Sequence, residues 1–462
     1  MVADNTLTNG FHPLWALMLW PLYSIVQDDD LIIHVALSLG AIVDVLTIWL
    51  TYRLVRMLGM PSTAGLMSAL LYGLNPLVIL ESINGLETAI SVFFFVLTVY
   101  IYYVHIRFSV DTALSNYIVF GLSTGLMLLA RTDTFFLIVV LTLDSLWVNR
   151  RNLPSFLPRL VVAGATASLL VLPWLWWTWA NFGTIIQSSA IAAPKVVQAN
   201  IAAITQEATS WGQIISEAYF PPVYSGFVLL YQYGGLPLTM LLIVIVLRRL
   251  CGEPSRNLPP SNPVALLLPI IGASLPLFVH VFVRWYPRNW YFATWAWAIA
   301  FAAGPIIASA LESWGKFFLR RLVIASILIF FVLQGLYYWR AGFYPWQRYM
   351  LEGARWIATS MPEGSVASSF NSGLQVYYAG RPVRNLDGVV NWEAIHALDE
   401  KRLMAYLQEE GIDYVVDFSY YPFQSFRPFF ETDYQAQLEL VATLSPEYPP
   451  YGRLQVYRIL SD

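Results

Sequence analysis

Length and composition predict a membrane protein. The chain has 462 residues, of which 57% are hydrophobic and only 12% are charged. Soluble domains carry roughly 25% charged residues, so this chain cannot bury its apolar surface in one or two water-soluble cores. The net charge of −3 and the lack of a basic tract argue against nucleic-acid binding, and the single cysteine, Cys251, excludes an internal disulfide framework. Membrane enzymes acting on lipids or sugars, transporters and non-catalytic scaffolds remain.

Apolar runs of about 20 residues predict a polytopic α-helical membrane protein with about ten transmembrane helices. These helices cover 31–58, 62–80, 86–105, 113–130, 134–149, 160–180, 225–247, 263–283, 289–311 and 321–339. The preceding segment 13–27 is too short to cross a bilayer, and its two Trp and one Tyr are typical of an interfacial helix. Residues 1–340 are therefore predicted to form a transmembrane domain.

The distribution of basic residues between loops predicts the orientation. One alternating set of loops holds twelve Lys and Arg, whereas the opposite set holds four. The twelve are Arg53, Arg56, Arg107, Arg150, Arg151, Arg159, Arg248, Arg249, Arg256, Lys316, Arg320 and Arg321. Cytoplasmic loops are enriched in Lys and Arg, so residues 1–30, the external loop 181–224 and the tail 340–462 are predicted to lie outside.

The N-terminus does not fit this orientation easily. Residues 1–30 are predicted to lie outside, yet they contain no Lys, no Arg and no signal peptide. We therefore expect that a first transmembrane helix, which would carry this segment across the membrane, is missing from the chain. The alternative is that a short acidic N-terminus is translocated by itself.

The hydrophobic pattern of the chain changes after residue 340. Amphipathic patterns predict helices over 345–359 and 396–410, and alternating or apolar patterns predict strands over 365–369, 412–418 and 454–460. We therefore expect residues 341–462 to form a small extracytoplasmic α/β domain, which is well within normal domain size.

Two aspartates lie within the predicted helices. Asp44 lies deep in the first helix and is expected to bond a neighbouring helix rather than to catalyse a reaction. Asp144 lies near a cytoplasmic helix end and is expected to snorkel toward water.

The remaining ionisable residues near the bilayer gather on the predicted outer side, so a site is expected to open outward. His12 follows Asn-Gly-Phe and could bond a lipid phosphate or a sugar hydroxyl, or it could be part of a helix-entry turn. Glu87 begins a helix, where it could be a functional carboxylate or a charge that complements the helix dipole. Arg131 and Asp133 share a short turn and could act on a substrate or simply pair with each other.

The most informative segment is Arg284-Trp285-Tyr286-Pro287-Arg288-Asn289-Trp290-Tyr291. Guanidinium groups bind phosphate through paired hydrogen bonds, so Arg284 and Arg288 at the outer interface suit the phosphate or diphosphate of a long isoprenoid. Asn289 and Tyr291 are candidate substrate-binding residues in the same segment. The alternative is a pair of snorkelling arginines within an aromatic belt.

Taken in chain order, the motifs resemble the GT-C superfamily of multi-pass glycosyltransferases, whose relatives include protein mannosyltransferases and lipid A aminoarabinose transferases. The motifs are Asn-Gly-Phe-His-Pro-Leu-Trp, Gly-Leu-Glu-Thr-Ala, Ala-Arg-Thr-Asp, Tyr-Pro-Arg-Asn-Trp-Tyr and Asn-Leu-Asp-Gly-Val-Val-Asn. The resemblance implies that a sugar leaves a polyprenyl-phosphate donor with inversion. It also implies that a first-loop Asp acts as general base and that cations, here Arg284 and Arg288, hold the leaving phosphate.

The resemblance also implies an outward cavity lined by His12, Glu87, Arg131 and Asp133. The sequence departs from the family at the first loop, because only Asp4 precedes the Asn-Gly-Phe-His motif. We therefore expect the chain to be an incomplete enzyme, an inactive relative, or an enzyme that uses Glu87 or Asp133 in place of the first-loop carboxylate.

Other functions remain open at this point. The expected partners are a polyprenyl-phosphate-linked sugar donor, a lipid, glycan or protein acceptor and the bilayer of the cell (plasma) membrane. Carboxylates suitable for Mg²⁺ or Mn²⁺ are present outside, but no spacing specifies a metal site. The alternatives are a transporter or flippase of a lipid-linked saccharide and a non-catalytic membrane assembly protein.

Overall fold

The computed structural model describes residues 2–3, 6–109, 113–250, 263–313, 317–341 and 344–460. Asp4, Cys251, Arg256 and Lys316 lie outside these described residues. Helices make up most of the structure, and a small five-stranded sheet follows them near the C-terminus.

The helices that precede the sheet domain cover all ten predicted spans. They are α1 (Pro13–Ile25), α2 (Asp29–Met57), α3 (Ser62–Gly73), α4 (Pro76–Ser82), α5 (Thr88–Ile101), α6 (Leu114–Ala130), α7 (Phe135–Val148), α8 (Leu153–Phe182), α9 (Ser188–Glu207), α10 (Trp211–Ile214), α11 (Phe220–Leu250), α12 (Val264–Phe278), α13 (Ala293–Ser313) and α14 (Phe317–Ala341). Short π-helical turns extend α5 over Tyr102–Arg107 and α12 over Val279–Val283.

Six of the described helical segments are each long and apolar enough to cross a membrane. The bent pair α3 and α4, whose axes differ by 63°, makes a seventh. The faces of these helices expose large apolar side chains, such as Leu169 at 73% and Trp176 at 67% on α8. Large exposed apolar surfaces of this kind suit lipid rather than water. The chain is a multi-pass membrane protein.

The span formed by α13 and the short turn before it is the most buried of the six, since 78% of its most apolar stretch lies inside the structure. Small residues allow its close approach to α3, as is common between membrane helices. A Cβ on Gly304 would lie 2.1 Å from Ser68 Oγ, and this hydroxyl donates to Phe301 O at 3.1 Å. Because α13 begins two residues after Tyr291, this packing helps to hold the end of the helix at which the candidate site lies.

Of the predictions for the two aspartates within helices, one is confirmed and one is wrong. Asp44 accepts hydrogen bonds from Tyr72 Oη at 2.6 Å and Ser82 Oγ at 2.8 Å, which confirms that it bonds neighbouring helices. The prediction for Asp144 was wrong. This carboxylate is 8% exposed and pairs with Arg107 inside the bundle, because a cation from the end of α5 lies within reach and replaces water as its partner.

The segment predicted as the external loop 181–224 is largely helical. It contains the 20-residue helix α9, the short helix α10 and a π-helical turn over Ile215–Tyr219. The N-terminal helix α1 confirms the predicted short helix, and it exposes apolar residues such as Trp20 at 71%. Before it, β1 (Val2–Ala3) and β2 (Thr6–Leu7) form a two-stranded antiparallel ribbon.

The C-terminal domain is an α/β structure, as predicted. Its elements are α15 (Trp346–Thr359), β3 (Ala367–Ser369), α16 (Gly373–Ala379), β4 (Val383–Asn385), α17 (Trp392–Glu400), α18 (Leu403–Glu409), β5 (Tyr414–Phe418), β6 (Leu438–Thr443) and β7 (Leu454–Ile459). The strand order is β4-β3-β5-β7-β6, in which β4, β3 and β5 are parallel and β7 is antiparallel to both of its neighbours. The helix predicted over 396–410 is two helices, because Lys401 adopts a left-handed conformation with φ of 53° and ends α17.

The loop after β4, at the carboxyl edge of the parallel strands, packs against the N-terminal loop and the start of α9. Asn9, which is fully buried, joins the two parts: its Oδ1 accepts from Ser188 N at 3.0 Å and from Trp392 Nε1 at 2.9 Å. Ser188 Oγ donates to Val389 O at 2.6 Å. A Cβ on Gly10 would lie 1.9 Å from the same carbonyl oxygen, so the Asn-Gly pair allows the N-terminal loop to pack directly on the loop after β4.

Candidate active site between the helical bundle and the C-terminal domain

The N-terminal loop carries His12 to the start of α5. Pro13 occupies the first turn of α1, where its missing N–H leaves no helical bond unmade. Two residues later, Trp15 Nε1 donates to Gly85 O at 2.9 Å, which fixes α1 against the turn before α5. His12 Nε2 consequently lies 3.4 Å from Glu87 Oε1. Glu87 is at the N-cap position of α5 but makes no side-chain capping bond, so its carboxylate is directed to other partners.

Arg131 is the centre of the site. Its Nε donates to both carboxylate oxygens of Asp133, at 2.8 and 3.1 Å, and its Nη1 donates to Glu87 Oε1 at 3.2 Å. The residue is only 6% exposed. Arg131 and Asp133 do pair with each other, as one interpretation of the sequence held, but the same guanidinium also reaches a carboxylate from a different helix.

His280 joins this cluster from the opposite side, although it was not predicted as a site residue. Its Nε2 lies 3.3 Å from Asp133 Oδ2. Its ring stacks on Tyr291 at 3.8 Å between centroids, and the guanidinium of Arg131 lies 4.7 Å from the centre of the same tyrosine ring. The π-helical turn that ends α12 holds the histidine here, and such turns are frequent at functional sites.

The charges of the cluster are set by its own members. Burial favours the neutral form of Asp133, but the Arg131 charge and the His280 hydrogen bond outweigh it and hold the pKa of Asp133 well below its usual range. Burial lowers the pKa of His12 despite the nearby Glu87, so this imidazole is neutral at pH 7. The Nδ1 atoms of His12 and His280 are buried and have no hydrogen-bond partner within the described part of the chain.

Glu87 and Asp133 differ in whether one carboxylate oxygen is left without a hydrogen-bond partner. Both oxygens of Asp133 are engaged, by Arg131 and by His280. Both contacts of Glu87, by contrast, go to Oε1, and Oε2 has no hydrogen-bond partner among the described residues. Glu87 Oε2 is therefore the carboxylate oxygen that can accept a bond from a substrate.

Arg284 and Arg288 lie at the same end of the bundle but do not contact these carboxylates. No described carboxylate lies within 4.0 Å of either guanidinium. Arg288 donates to Tyr286 Oη at 2.5 Å and packs on that ring at 4.2 Å. Arg284 lies within electrostatic range of His280, and Arg288 lies within that of Tyr291. Two cations without anionic partners thus flank a cluster in which the cation is already neutralised.

The backbone between these two arginines is strained. Trp285 has φ of 54°, a conformation that is costly for a bulky side chain. Its ring packs edge-on against Tyr219, with centroids 4.9 Å apart, which stabilises the turn. Asn289 then opens a 3₁₀ turn that ends at Phe292 and leads into α13.

Another buried carboxylate, Glu81, was not predicted as a site residue. It is 1% exposed and accepts from Tyr233 Oη at 2.8 Å, Tyr344 Oη at 3.1 Å and Asn84 Nδ2 at 2.7 Å. Tyr344 lies between α14 and the C-terminal domain, and its φ is 51°. Glu81 thus anchors the segment that leads into the C-terminal domain, and its signal in the sequence is a carboxylate inside an apolar helix.

The enclosed space beside the cluster is small. Thr88, Ser91, Arg131, Asp133 and Tyr291 are among the residues that line a cavity of about 10 Å³, which suffices for one water molecule. Within the described ranges, no three His, Cys, Asp or Glu side chains come together as a group that could hold a metal ion. A sugar is too large for this cavity, so a substrate would have to bind outside it.

Two family models match parts of the chain. Residues 13–177 match dolichyl-phosphate-mannose-protein mannosyltransferase, and residues 341–458 match a domain of unknown function. A search of curated protein sequences finds no match. Among solved structures, ArnT from Cupriavidus metallidurans bound to undecaprenyl phosphate is similar, with 13% identity and a TM-score of 0.54 over 99% of this chain and 89% of that chain. The apo state of the same protein gives a TM-score of 0.52 with the same identity and coverage.

The chain shares its fold with ArnT. The candidate cluster draws its residues from inside and outside the mannosyltransferase match: His12 precedes it, Glu87, Arg131 and Asp133 lie inside it, and His280 follows it. The helical bundle thus assembles one site from segments that are far apart in sequence.

Proposed function

We propose that this protein is a glycosyltransferase that moves a sugar from a polyprenyl-phosphate donor to an acceptor hydroxyl or amine at the extracytoplasmic face. One observation supports the proposal most directly. Arg131 and His12 contact Oε1 of Glu87, and Oε2 of the same carboxylate remains available to a substrate. The GT-C fold and the similarity to a protein that binds undecaprenyl phosphate support the donor class.

The donor phosphate would bind at Arg284 and Arg288. Both guanidiniums lack an anionic partner in the described structure, and a phosphate would supply one through paired, charge-assisted hydrogen bonds. In the transition state, negative charge develops on the departing phosphate oxygen, where two cations stabilise it. The apolar lipid tail would remain in the bilayer, along the exposed apolar faces of the bundle.

The acceptor would be activated by Glu87. Oε2 would take the proton of the acceptor as its oxygen or nitrogen bonds to the anomeric carbon, while the bond from that carbon to the phosphate oxygen breaks and the phosphate leaves with the electron pair. Arg131 and His12 orient the carboxylate. Asp133, whose oxygens are all engaged, would be a positioning residue that aligns Arg131 and His280.

The basic residues of the loops support the proposed orientation. The candidate site and the C-terminal domain lie at the end of the bundle opposite the loops that carry most Lys and Arg, and the positive-inside tendency assigns that end to the outer face. We propose the cell membrane as the location.

The test is transfer by the purified full chain in lipid nanodiscs, with radiolabelled undecaprenyl- and dolichyl-phosphate sugars as donors. We expect E87Q to lower kcat by about 10²-fold or more, since the lost group is a general base, while the protein remains folded. The matched control is E363Q, which replaces an exposed glutamate of the C-terminal domain and should leave kcat unchanged.

Two results would contradict the proposal. One is absence of transfer from every donor by a folded, donor-binding protein, which would favour a non-catalytic assembly role. The other is movement of an intact lipid-linked saccharide between the two leaflets without cleavage, which would identify a flippase.

A further inference from the structure

Two hydroxyl groups in the first turn of α5 are buried without a hydrogen-bond partner. Thr88 is the first residue of this helix, and Ser91 lies three residues later on the same face. Thr88 is 3% exposed and Ser91 is 1% exposed. Neither side-chain oxygen has a partner among the described residues. A buried hydroxyl without a partner destabilises the folded state, so a partner is expected for both groups.

Other buried hydroxyls of the bundle bond to their own helix. Thr47 Oγ1, for example, donates to Val43 O, four residues earlier, at 3.0 Å. Thr88 has no such carbonyl available, because no turn of α5 precedes it. Ser91 lies close to Glu87 O, which accepts from Ser91 N at 2.9 Å, but its hydroxyl does not use that oxygen. Both hydroxyl side chains instead line the cavity of about 10 Å³ beside the cluster.

This cavity has the size and the polar lining that one water molecule requires. A buried water needs a cavity of roughly 10–15 Å³ and two to four polar partners. Arg131 and Asp133 line the cavity together with the two hydroxyls. Within the described part of the chain, Asp133 Oδ1 accepts from Arg131 Nε alone, at 2.8 Å. A second lone pair of this oxygen is therefore available to a further donor.

We propose that one internal water molecule occupies this cavity and bonds to Thr88 Oγ1, Ser91 Oγ and Asp133 Oδ1. Three hydrogen bonds are typical of a buried water. The water makes Thr88 and Ser91 positioning residues of the candidate site. This positioning role rests on the proposed transferase function, whereas the presence of the water does not depend on it.

The water joins the same two segments as the ion pair between Arg131 and Glu87. Glu87 directly precedes Thr88, and Asp133 follows Arg131 by two residues in the turn between α6 and α7. The ion pair contacts only one oxygen of Glu87, so a second connection limits how far the start of α5 moves relative to Arg131. Because small displacements of a catalytic group lower the rate strongly, the water helps to keep Glu87 Oε2 directed at the acceptor.

The first test is the direction in which the thermal transition changes. T88V keeps the shape of the side chain and removes the hydroxyl, and S91A removes the other hydroxyl. If a water bonds to these groups, each variant leaves it with fewer partners, and we expect the thermal transition of the full chain in nanodiscs to fall. If the cavity is dry, each variant removes a polar group that has no partner, and the transition rises.

The matched control is T98V on the same helix. The hydroxyl of Thr98 is also buried without a partner among the described residues, but Thr98 does not line this cavity. Removal of that hydroxyl should leave the thermal transition unchanged or raise it. T88V and S91A should therefore both melt below T98V. Transitions of T88V and S91A that match or exceed that of T98V would overturn the proposal.

The second test observes the water directly. A structure of the wild type at a resolution that shows ordered waters should contain density within hydrogen-bond distance of Thr88 Oγ1, Ser91 Oγ and Asp133 Oδ1. The density should be absent from T88V and present in T88S, which keeps the hydroxyl. An empty cavity in the wild type would overturn the proposal even if T88V fails to fold.

The third test concerns the positioning role. T88V should lower kcat by about tenfold or more and leave the KM for the donor unchanged, because Arg284 and Arg288 would hold the donor phosphate. T88S should restore most of kcat. A kcat of T88V equal to that of T98V would contradict the positioning role. If E87Q leaves transfer unchanged while T88V still melts below T98V, the proposed reaction fails and the water site stands.

Discussion

Arg131 Nη1 donates to Glu87 Oε1 across 3.2 Å, which joins the turn before α5 to the turn after α6. The same guanidinium holds Asp133 through two further bonds. One cation therefore bridges two carboxylates that would otherwise repel each other more strongly in a poorly hydrated place. The arrangement makes Arg131 the residue on which both the charge state and the geometry of the site depend.

Replacing Arg131 should damage stability and activity together. R131M leaves Glu87 and Asp133 without their cation, and breaking a buried pair in this way costs about 3–5 kcal/mol of unfolding free energy. We expect R131M to lower the thermal transition of the purified protein and to abolish transfer. R131K should retain part of both, because it keeps the charge but cannot form the paired bonds.

The control for R131M and R131K is R355M, which breaks the exposed ion pair between Arg355 and Glu352. Exposed pairs contribute about 0–1 kcal/mol, so its transition should match the wild type. If R131M has the same thermal transition and transfer rate as the wild type, neither stability nor activity depends on the cluster.

Replacing Arg284 and Arg288 with neutral residues should weaken the binding of the donor. R284Q and R288Q each remove a cation that has no carboxylate partner in the described structure, so the fold should be retained while the KM for the polyprenyl-phosphate donor rises about tenfold or more. The measurement is a donor titration at fixed acceptor concentration. An unchanged donor KM in the double variant would favour the snorkelling interpretation of these residues.

The pH dependence of stability should carry a contribution from His12. Burial lowers its pKa below the ordinary value of 6.5, so above that pH both the folded and the unfolded states hold a neutral imidazole. As the pH falls below 6.5, the unfolded chain binds a proton that the folded state resists, and the folded state loses stability. Thermal transitions measured from pH 7.5 to 5.0 should therefore fall less steeply for H12Q than for the wild type. H396Q, which replaces an exposed histidine, should follow the wild type; an identical slope for H12Q and the wild type would contradict the expectation.

Gly10 should be intolerant of any side chain. A Cβ there would lie 1.9 Å from Val389 O, so G10A must separate the N-terminal loop from the C-terminal domain or displace the loop after β4. We expect faster proteolytic release of the C-terminal domain and a loss of transfer, because His12 lies two residues further along the loop. G164A is the matched control, since a Cβ at Gly164 would meet nothing within 4 Å and alanine is the better helix former. Equal proteolysis of the two variants would show that the loop does not need this close contact.

Local patterns in the sequence were sufficient for much of the architecture. Membrane insertion depends on the summed hydrophobicity of about 20 consecutive residues, so the positions of the helices could be predicted from short windows. The same holds for α15, whose periodicity reflects one buried face, and for the strands β3, β5 and β7, of which β3 and β5 are buried on both faces. The break at Lys401 was missed because a left-handed residue other than glycine leaves no pattern in the sequence.

The candidate site was only partly predictable. The motifs indicated His12, Glu87, Arg131 and Asp133, and the structure brings these four side chains together. The partnership of His280 with Asp133 spans 147 positions, and that of Tyr344 with Glu81 spans 263. No local pattern records such distances.

The sequence by itself thus determined that the chain lies in a membrane, roughly where it crosses and which short motifs carry charge, because these properties add up over neighbouring residues. Only the tertiary structure decided which charges neutralise one another, that Glu87 keeps an oxygen free while Asp133 does not, and that the loop after β4 packs against the N-terminal loop and the start of α9. These outcomes depend on how distant helices and loops pack, and hydrogen bonds and ion pairs act only between groups that packing has already brought within a few ångströms.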